Sequence, residues 1–184
     1  MHGTVRDWIT KILEERKLLV ALAVRQRAKF EGWLKFELAY RAALAGASDV
    51  EVESGSTTRS GQVRADIAFR LGDAAYSVEL KTPNTNWRMP GVQEKTRPIT
   101  NNIAEIVSDG QKLASQPSGG IVAFVLFPVP IGDRRWVNYL QRISSETGVS
   151  LNEREHTARV NVPLVDGRST ADLVVCAFTV PHSA

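Results

Sequence analysis

Asp66, Glu79 and Lys81 are the residues whose types and spacing could together do chemistry. Around Asp66 the apolar Val63, Ala65, Ile67 and Phe69 alternate with Arg64, Asp66 and Arg70. Further on, Val78 and Leu80 alternate with Ser77, Glu79 and Lys81. Successive side chains of a strand point to opposite faces, so Glu79 and Lys81 share the face that Val78 and Leu80 do not use. A hairpin turn at Leu71-Gly72-Asp73 would set the two strands side by side and bring Asp66 toward that pair. Two carboxylates and one ammonium group on a common surface are the parts of a divalent-metal hydrolytic site, as in a nuclease. Hard oxygen ligands suit Mg²⁺ or Mn²⁺. Such an ion polarises a scissile phosphate, stabilises the charge that develops and can supply hydroxide. A lysine beside carboxylates keeps its proton, so Lys81 fits a positioning and electrostatic role better than that of a base. Taken singly, each of the three reads as the wet face of a strand, and Lys81 as a guard against edge pairing. Their convergence beside a long polar loop favours a site.

The elements that must position these groups follow from the pattern on either side. Residues from about Val5 to Ala45 read as helix, with a break near Ala23 to Arg27 that makes two helices. Gly46-Ala47-Ser48-Asp49 ends that segment, Val50 to Glu53 can be a short strand, and Ser54 to Gln62 is a polar loop. After the two strands, Thr82 to Pro98 is a long loop carrying three prolines. Ile99 to Ser115 has helical spacing, and Gly120 to Val129 is a nearly continuous apolar run, a central strand buried on both faces. Asp133 to Glu146 reads as a helix with Trp136, Val137, Leu140 and Ile143 inward. Ala158 to Leu164 and Leu173 to Val180 are strands joined through Asp166-Gly167. Helix, three strands, helix, strand, helix and two strands predict an α/β fold, a central mixed sheet flanked by helices.

On a helical wheel Phe30, Trp33, Leu34, Tyr40 and Leu44 make an apolar stripe with Glu37 near its centre. A carboxylate there must be desolvated, which is costly unless a metal site or its cation binds it. An i,i+4 pair with Arg41 accounts for Glu37 equally well. Glu31 falls off the stripe and reads as a solvated or capping residue.

Asp66, with Glu79-Leu80-Lys81 thirteen positions on and a helix bearing Glu37 before them, resembles the PD-(D/E)XK nuclease superfamily, the restriction-endonuclease-like fold. The resemblance covers about Phe30 to Phe127, in an αβββαβ order, and Ala65 stands where the family name places proline. It implies a single domain over 1–184: an N-terminal helical extension at 1–28, a nuclease core at 30–127, and a C-terminal helix and strands at 128–184. It also implies that Asp66, Glu79 and the Leu80 backbone carbonyl hold Mg²⁺ or Mn²⁺, that Lys81 orients the attacking water, and that Glu37 completes the site. The helix from Ile99 holds Gln111 and Lys112, where the family often places a glutamine or lysine; Gln111 is a secondary candidate, and a solvent-facing residue is an equal reading.

The loop after Lys81 adds Asn84 and Arg88 as secondary candidates, with Trp87 between them. Amide, aromatic and cationic side chains suit phosphate or base contact, and suit loop ordering equally. Arg134-Arg135 is a basic pair at a helix start, open to phosphate contact or to ordinary surface pairing. The expected function is therefore a metal-dependent endonuclease acting on DNA. The alternative is a non-catalytic nucleic-acid-binding or assembly module on the same fold. Trp8, Ile9, Ile12, Leu13, Leu18, Leu19 and Leu22 of the extension could pack on the same chain or on a second copy, and a homodimer would suit cutting both strands of a duplex.

Composition narrows the rest. The chain of 184 residues, 43% hydrophobic and 23% charged, suits one globular domain with a real core. A formal charge of +3 and a pI near 9.2 fit nucleic-acid binding without requiring it. Cys176 is the only cysteine, which excludes an intrachain disulfide and a cysteine zinc site, and an intracellular location is the expectation. No apolar run approaches membrane-spanning length. His156 stands apart from His2 and His182, and no histidine pair has metal-binding spacing in the sequence, which argues against a histidine zinc site. There is no GxxxxGK[ST], GxGxxG or GxSxG, against P-loop, dinucleotide and serine-hydrolase chemistry.

Overall fold

The computed structural model describes residues 1–58, 61–94, 98–116, 119–164 and 169–182. Three helices open the chain, α1 (His2–Glu15), α2 (Lys17–Gln26) and α3 (Glu31–Leu44). One break falls at Arg27, as expected, and a second at Arg16. Arg27 takes a left-handed backbone (φ 48°) that stops α2, and its side chain turns inward. Then come β1 (Ser48–Thr58), β2 (Gly61–Leu71), β3 (Ala74–Lys81), α4 (Ile99–Ala114), β4 (Gly120–Val129), α5 (Trp136–Thr147), a one-turn α6 (Glu153–His156), β5 (Thr157–Pro163) and β6 (Thr170–Val180).

The strands form one mixed sheet in the order β1-β2-β3-β4-β6-β5. Only β3 and β4 run parallel among the neighbouring pairs, joined by the crossover through α4. The expected α/β architecture is present, a central mixed sheet flanked by helices with a helical N-terminal extension. Ser54–Thr58 and Gly61–Gln62 are strand rather than the loop their polarity suggests, and Arg59 and Ser60 lie outside the described residues. Ladder pairing carries β1 to Thr58 and resumes β2 at Gly61, so cross-strand hydrogen bonding overrides polar composition. The Asp166-Gly167 turn lies outside the described residues.

Strand β4 shows how the core is divided. Ile121, Ala123, Val125 and Phe127 pack with Val5, Ile9, Leu34 and Leu38 of the first helices, while Val122, Phe124 and Leu126 pack with Ile103, Ile106 and Leu140 on the other side. Strand β6 alternates likewise, Leu173 and Val175 against Val174 and Cys176. The helix α1 presents Val5, Ile9, Ile12 and Leu13 at helical spacing, and packs on β5 and β6. Leu18, Leu19 and Leu22 of α2 remain exposed. The helices α4 and α5 approach closely at Gly110, where a β-carbon would lie 3.0 Å from Thr147 Cγ2. Among the described residues no helix is long and apolar enough to cross a membrane.

Candidate active site

The site forms where β2 and β3 part company. Their ladder pairs Leu71 with Ala74 and runs to Ile67 with Val78. One residue further, Asp66 Oδ2 accepts a hydrogen bond from the Leu80 N–H at 2.8 Å, so a side chain holds the two strands where the backbone ladder stops. Ile67, Val78 and Leu80 face the α1–α3 layer. By strand alternation Asp66, Glu79 and Lys81 turn the other way, toward α4. Asp66, Ala65, Glu79, Glu53 and Lys112 line a cleft of about 230 Å³. The structure therefore brings Asp66, Glu79 and Lys81 together.

Groups from both layers meet at this opening. From α3, Lys35 Nζ lies 2.7 Å from Asp66 Oδ1, 3.8 Å from Glu31 and 3.7 Å from Glu53. From α4, Lys112 Nζ donates to Glu79 Oε1 at 2.5 Å, and Asp109 Oδ2 lies 3.0 Å from Lys81 Nζ, an ion pair without hydrogen-bond alignment. Lys81 also lies 3.9 Å from Asp66 Oδ2. Glu31 Oε2 accepts from the Thr82 N–H at 3.3 Å.

Among the described residues, five carboxylates (Glu31, Glu53, Asp66, Glu79, Asp109) are thus tied to three ammonium groups (Lys35, Lys81, Lys112). Burial raises the Glu79 carboxyl above the ordinary carboxylate range; the Lys112 hydrogen bond opposes the rise, and the charges of Asp66 and Asp109 add to it. Burial works against the charge of Lys81, but Asp109, Glu31 and Asp66 outweigh it and hold its pKa above the usual lysine value. Lys35 is raised in the same way, with Asp66, Glu31 and Glu53 overcoming burial.

No family model, curated protein or solved structure matches the chain. The chemistry of the cleft is carried by its own side chains. A hard divalent cation suits the donors: carboxylate oxygens of Asp66 and Glu79, and the carbonyl of Leu80, which follows Glu79 in the chain. Lys35 and Lys112 neutralise the same two carboxylates and would have to yield to it.

Glu37 does not join this cluster. Its Oε1 accepts from Trp33 Nε1 at 3.2 Å and lies 3.9 Å from Arg16. The buried stripe of α3 is Leu34, Leu38 and Ala42 with Lys35 and Ala39, whereas Tyr40 and Leu44 are 61% and 63% exposed. That stripe turns Glu31 and Lys35 toward the sheet and leaves Glu37 to one side. Arg41 pairs with Glu15, so the expected Glu37–Arg41 pair is not made either. Glu31 is the acidic group that α3 contributes.

Gln111 points outward, its Nε2 3.5 Å from the Glu146 carbonyl oxygen, and its neighbour Lys112 reaches Glu79 instead. Asn84 is buried against β4, bridged to Phe127, and its backbone carbonyl accepts from Asn102 Nδ2 at 2.9 Å. Arg88 is exposed and paired with Glu94 at 3.3 Å. Trp87 is a core residue stacked near Tyr139, with the Arg135 guanidinium 4.5 Å from its ring centre. Arg134 pairs with Glu153 at 2.5 Å.

The loop behind Lys81 is held by Arg27, which the sequence did not single out. Its guanidinium donates to the carbonyl oxygens of Gln93 and Trp87, both at 2.5 Å, and to that of Thr85. Burial lowers its pKa, opposed by Glu94. One buried cation thus fastens three loop carbonyls beside the cleft.

Proposed function

We propose that the chain is a metal-dependent endonuclease of the PD-(D/E)XK type that hydrolyses phosphodiester bonds in DNA. The observation that supports this most is the convergence of Asp66 and Glu79 at the end of the β2–β3 ladder, with Lys81 on the same face. In this reading Asp66, Glu79 and the Leu80 carbonyl hold Mg²⁺ or Mn²⁺, which when bound polarises the scissile phosphate and lowers the pKa of a water. Lys81, kept protonated by Asp109, Asp66 and Glu31, orients the attacking water and stabilises charge on the phosphate. Glu31 anchors the start of the following loop through the Thr82 N–H. Lys35 and Lys112 hold the acids in place until the cation and substrate arrive. Released from Glu79, Lys112 is positioned to meet a phosphate oxygen.

The expected result is that Asp66→Ala loses cleavage while keeping the circular dichroism spectrum of the folded chain. Full activity in a folded Asp66→Ala protein would overturn the assignment. Leu18, Leu19 and Leu22 give the surface on which a second copy would dock, which suits cutting both strands of a duplex. Light scattering on Leu18→Glu/Leu22→Glu protein tests that association; an unchanged dimeric mass would argue against this face, and a monomeric parent protein against the dimer itself.

A second reading draws on the lysine pairing. With Lys35 on Asp66 and Lys112 on Glu79, both carboxylates already have cationic partners. That arrangement fits a non-catalytic nucleic-acid-binding or assembly module, which would bind DNA without cutting it in any divalent metal.

A further inference from the structure

Two histidines far apart in sequence meet at the opposite edge of the sheet. His2 opens α1, and His156 closes α6 immediately before β5. Packing of α1 on β5 and β6 brings their rings together, with centroids 5.2 Å apart and planes inclined by 13°. One ligand atom from each of His2, Glu155 and His156 lies within 4.8 Å of the others. The sequence spacing that argued against a histidine zinc site therefore does not describe how the two histidines sit in the fold.

Each ring is oriented through its Nδ1. His2 Nδ1 is 3.1 Å from Thr179 Oγ1, and His156 Nδ1 is 3.2 Å from both the Asn152 carbonyl oxygen, to which it can donate, and the Asn152 N–H, from which it can accept. When those nitrogens donate, both Nε2 atoms carry lone pairs, and among the described residues neither Nε2 has a hydrogen-bond partner. A ligating histidine is usually oriented in this way through its other nitrogen. The carboxylate is also directed, since Glu155 Oε2 accepts from Asn152 Nδ2 at 3.0 Å and Arg6 donates to the Glu155 carbonyl oxygen. His156 is buried, His2 half-buried and Glu155 exposed, so the group opens to solvent on the carboxylate side.

We infer that His2, Glu155 and His156 form a binding site for a borderline divalent cation such as Zn²⁺, separate from the carboxylate cleft. Two imidazoles and one carboxylate are the donor set of three-ligand zinc sites, whereas Mg²⁺ prefers oxygen donors. An ion lies in the plane of each imidazole that binds it, and the present rings are nearly parallel. The half-buried His2 ring therefore turns about its outer torsion as the ion enters, while buried His156 stays fixed. The bound ion would clip the start of α1 to the α6–β5 junction and so stabilise the extension on the sheet.

The test is calorimetric titration of Zn²⁺ into the untagged, chelator-treated full chain. The site predicts one equivalent bound by the parent protein and by Asp66→Asn. It also predicts at least about tenfold weaker binding in His2→Gln and in Glu155→Gln, since loss of even an outer-shell partner costs that much. Both of these positions are accessible, so the variants are expected to fold, and a Zn²⁺-induced rise in Tm should be lost in them. No equivalent bound by the parent protein, binding that survives His2→Gln, or binding lost in Asp66→Asn would each overturn the inference.

Discussion

Lys35 Nζ sits 2.7 Å from Asp66 Oδ1, while the other oxygen of the same carboxylate accepts the Leu80 N–H at 2.8 Å. One side chain of the sheet is thus held from two directions, by a helix of one layer and by the backbone of the neighbouring strand. Lys35 is only 9% exposed and also faces Glu31 and Glu53. Lys35→Met should cost about 3 kcal/mol in denaturant unfolding, because it removes the cation that Asp66, Glu31 and Glu53 share. Mg²⁺ should restore part of that loss and raise the Tm of the variant more than that of the parent protein. An equal response to Mg²⁺ in both proteins would mean that Lys35 and the cation do not share Asp66.

The raised pKa of Glu79 carries a definite sign. Folding favours its protonated form, so between its ordinary value of 4.5 and its raised value the native state holds more protons than the unfolded one. Its contribution to stability falls as pH rises through that window. Glu79→Gln should therefore raise the Tm at neutral pH by a few degrees, about what 1 kcal/mol yields in a chain of this size, with the gain shrinking below about pH 4.5. Adding Mg²⁺ at neutral pH should reverse the order, stabilising the parent protein but not the variant. A gain that persists unchanged into acid would remove Glu79 as its source.

Glu31 and Glu37 separate two accounts of α3. Glu31→Gln should lower cleavage by about 10–100-fold, the range for outer-shell partners of a metal site. Glu37→Gln should leave the rate within about twofold, since its partners are Trp33 and Arg16 on the far side of the helix. Initial rates on a single DNA substrate distinguish them. The reverse ranking would restore Glu37 to the site.

Arg27→Lys keeps a charge at the base of the loop but loses the planar fork that serves three carbonyls. A loss of about 2 kcal/mol is expected. Faster amide exchange should be confined to residues 82–94. Uniform acceleration across the sheet would mean that Arg27 acts on the whole core.

The strand-borne half of the site was legible in the sequence, because a period of two assigns faces without knowledge of what packs on them. Asp66, Glu79 and Lys81 share a face for that reason alone. The helical half was harder to read. Tyr40 and Leu44 are large apolar residues that the fold leaves in solvent, so a wheel that includes them rotates the apparent buried face of α3 away from Glu31 and Lys35 toward Glu37. On α4 the choice between Gln111 and Lys112 is a turn of one residue, and the axis angle of the helix against β3 decides it. Arg27 and His156 depend on contacts with residues distant in sequence, which local pattern does not encode. The far ends of β1 and β2 are illegible to an apolar pattern because their sequence is polar, while the ladder pairs them through backbone groups that every residue carries.

The most direct test of the central claim is cleavage of a DNA panel of duplex, single-stranded and branched substrates in Mg²⁺ or Mn²⁺, comparing the parent protein with Lys81→Ala and with an EDTA control. Metal-dependent cutting that falls by at least about 100-fold in a folded Lys81→Ala protein is the expected result. Cutting that survives EDTA or the substitution, or DNA binding without cutting in either metal, would contradict it.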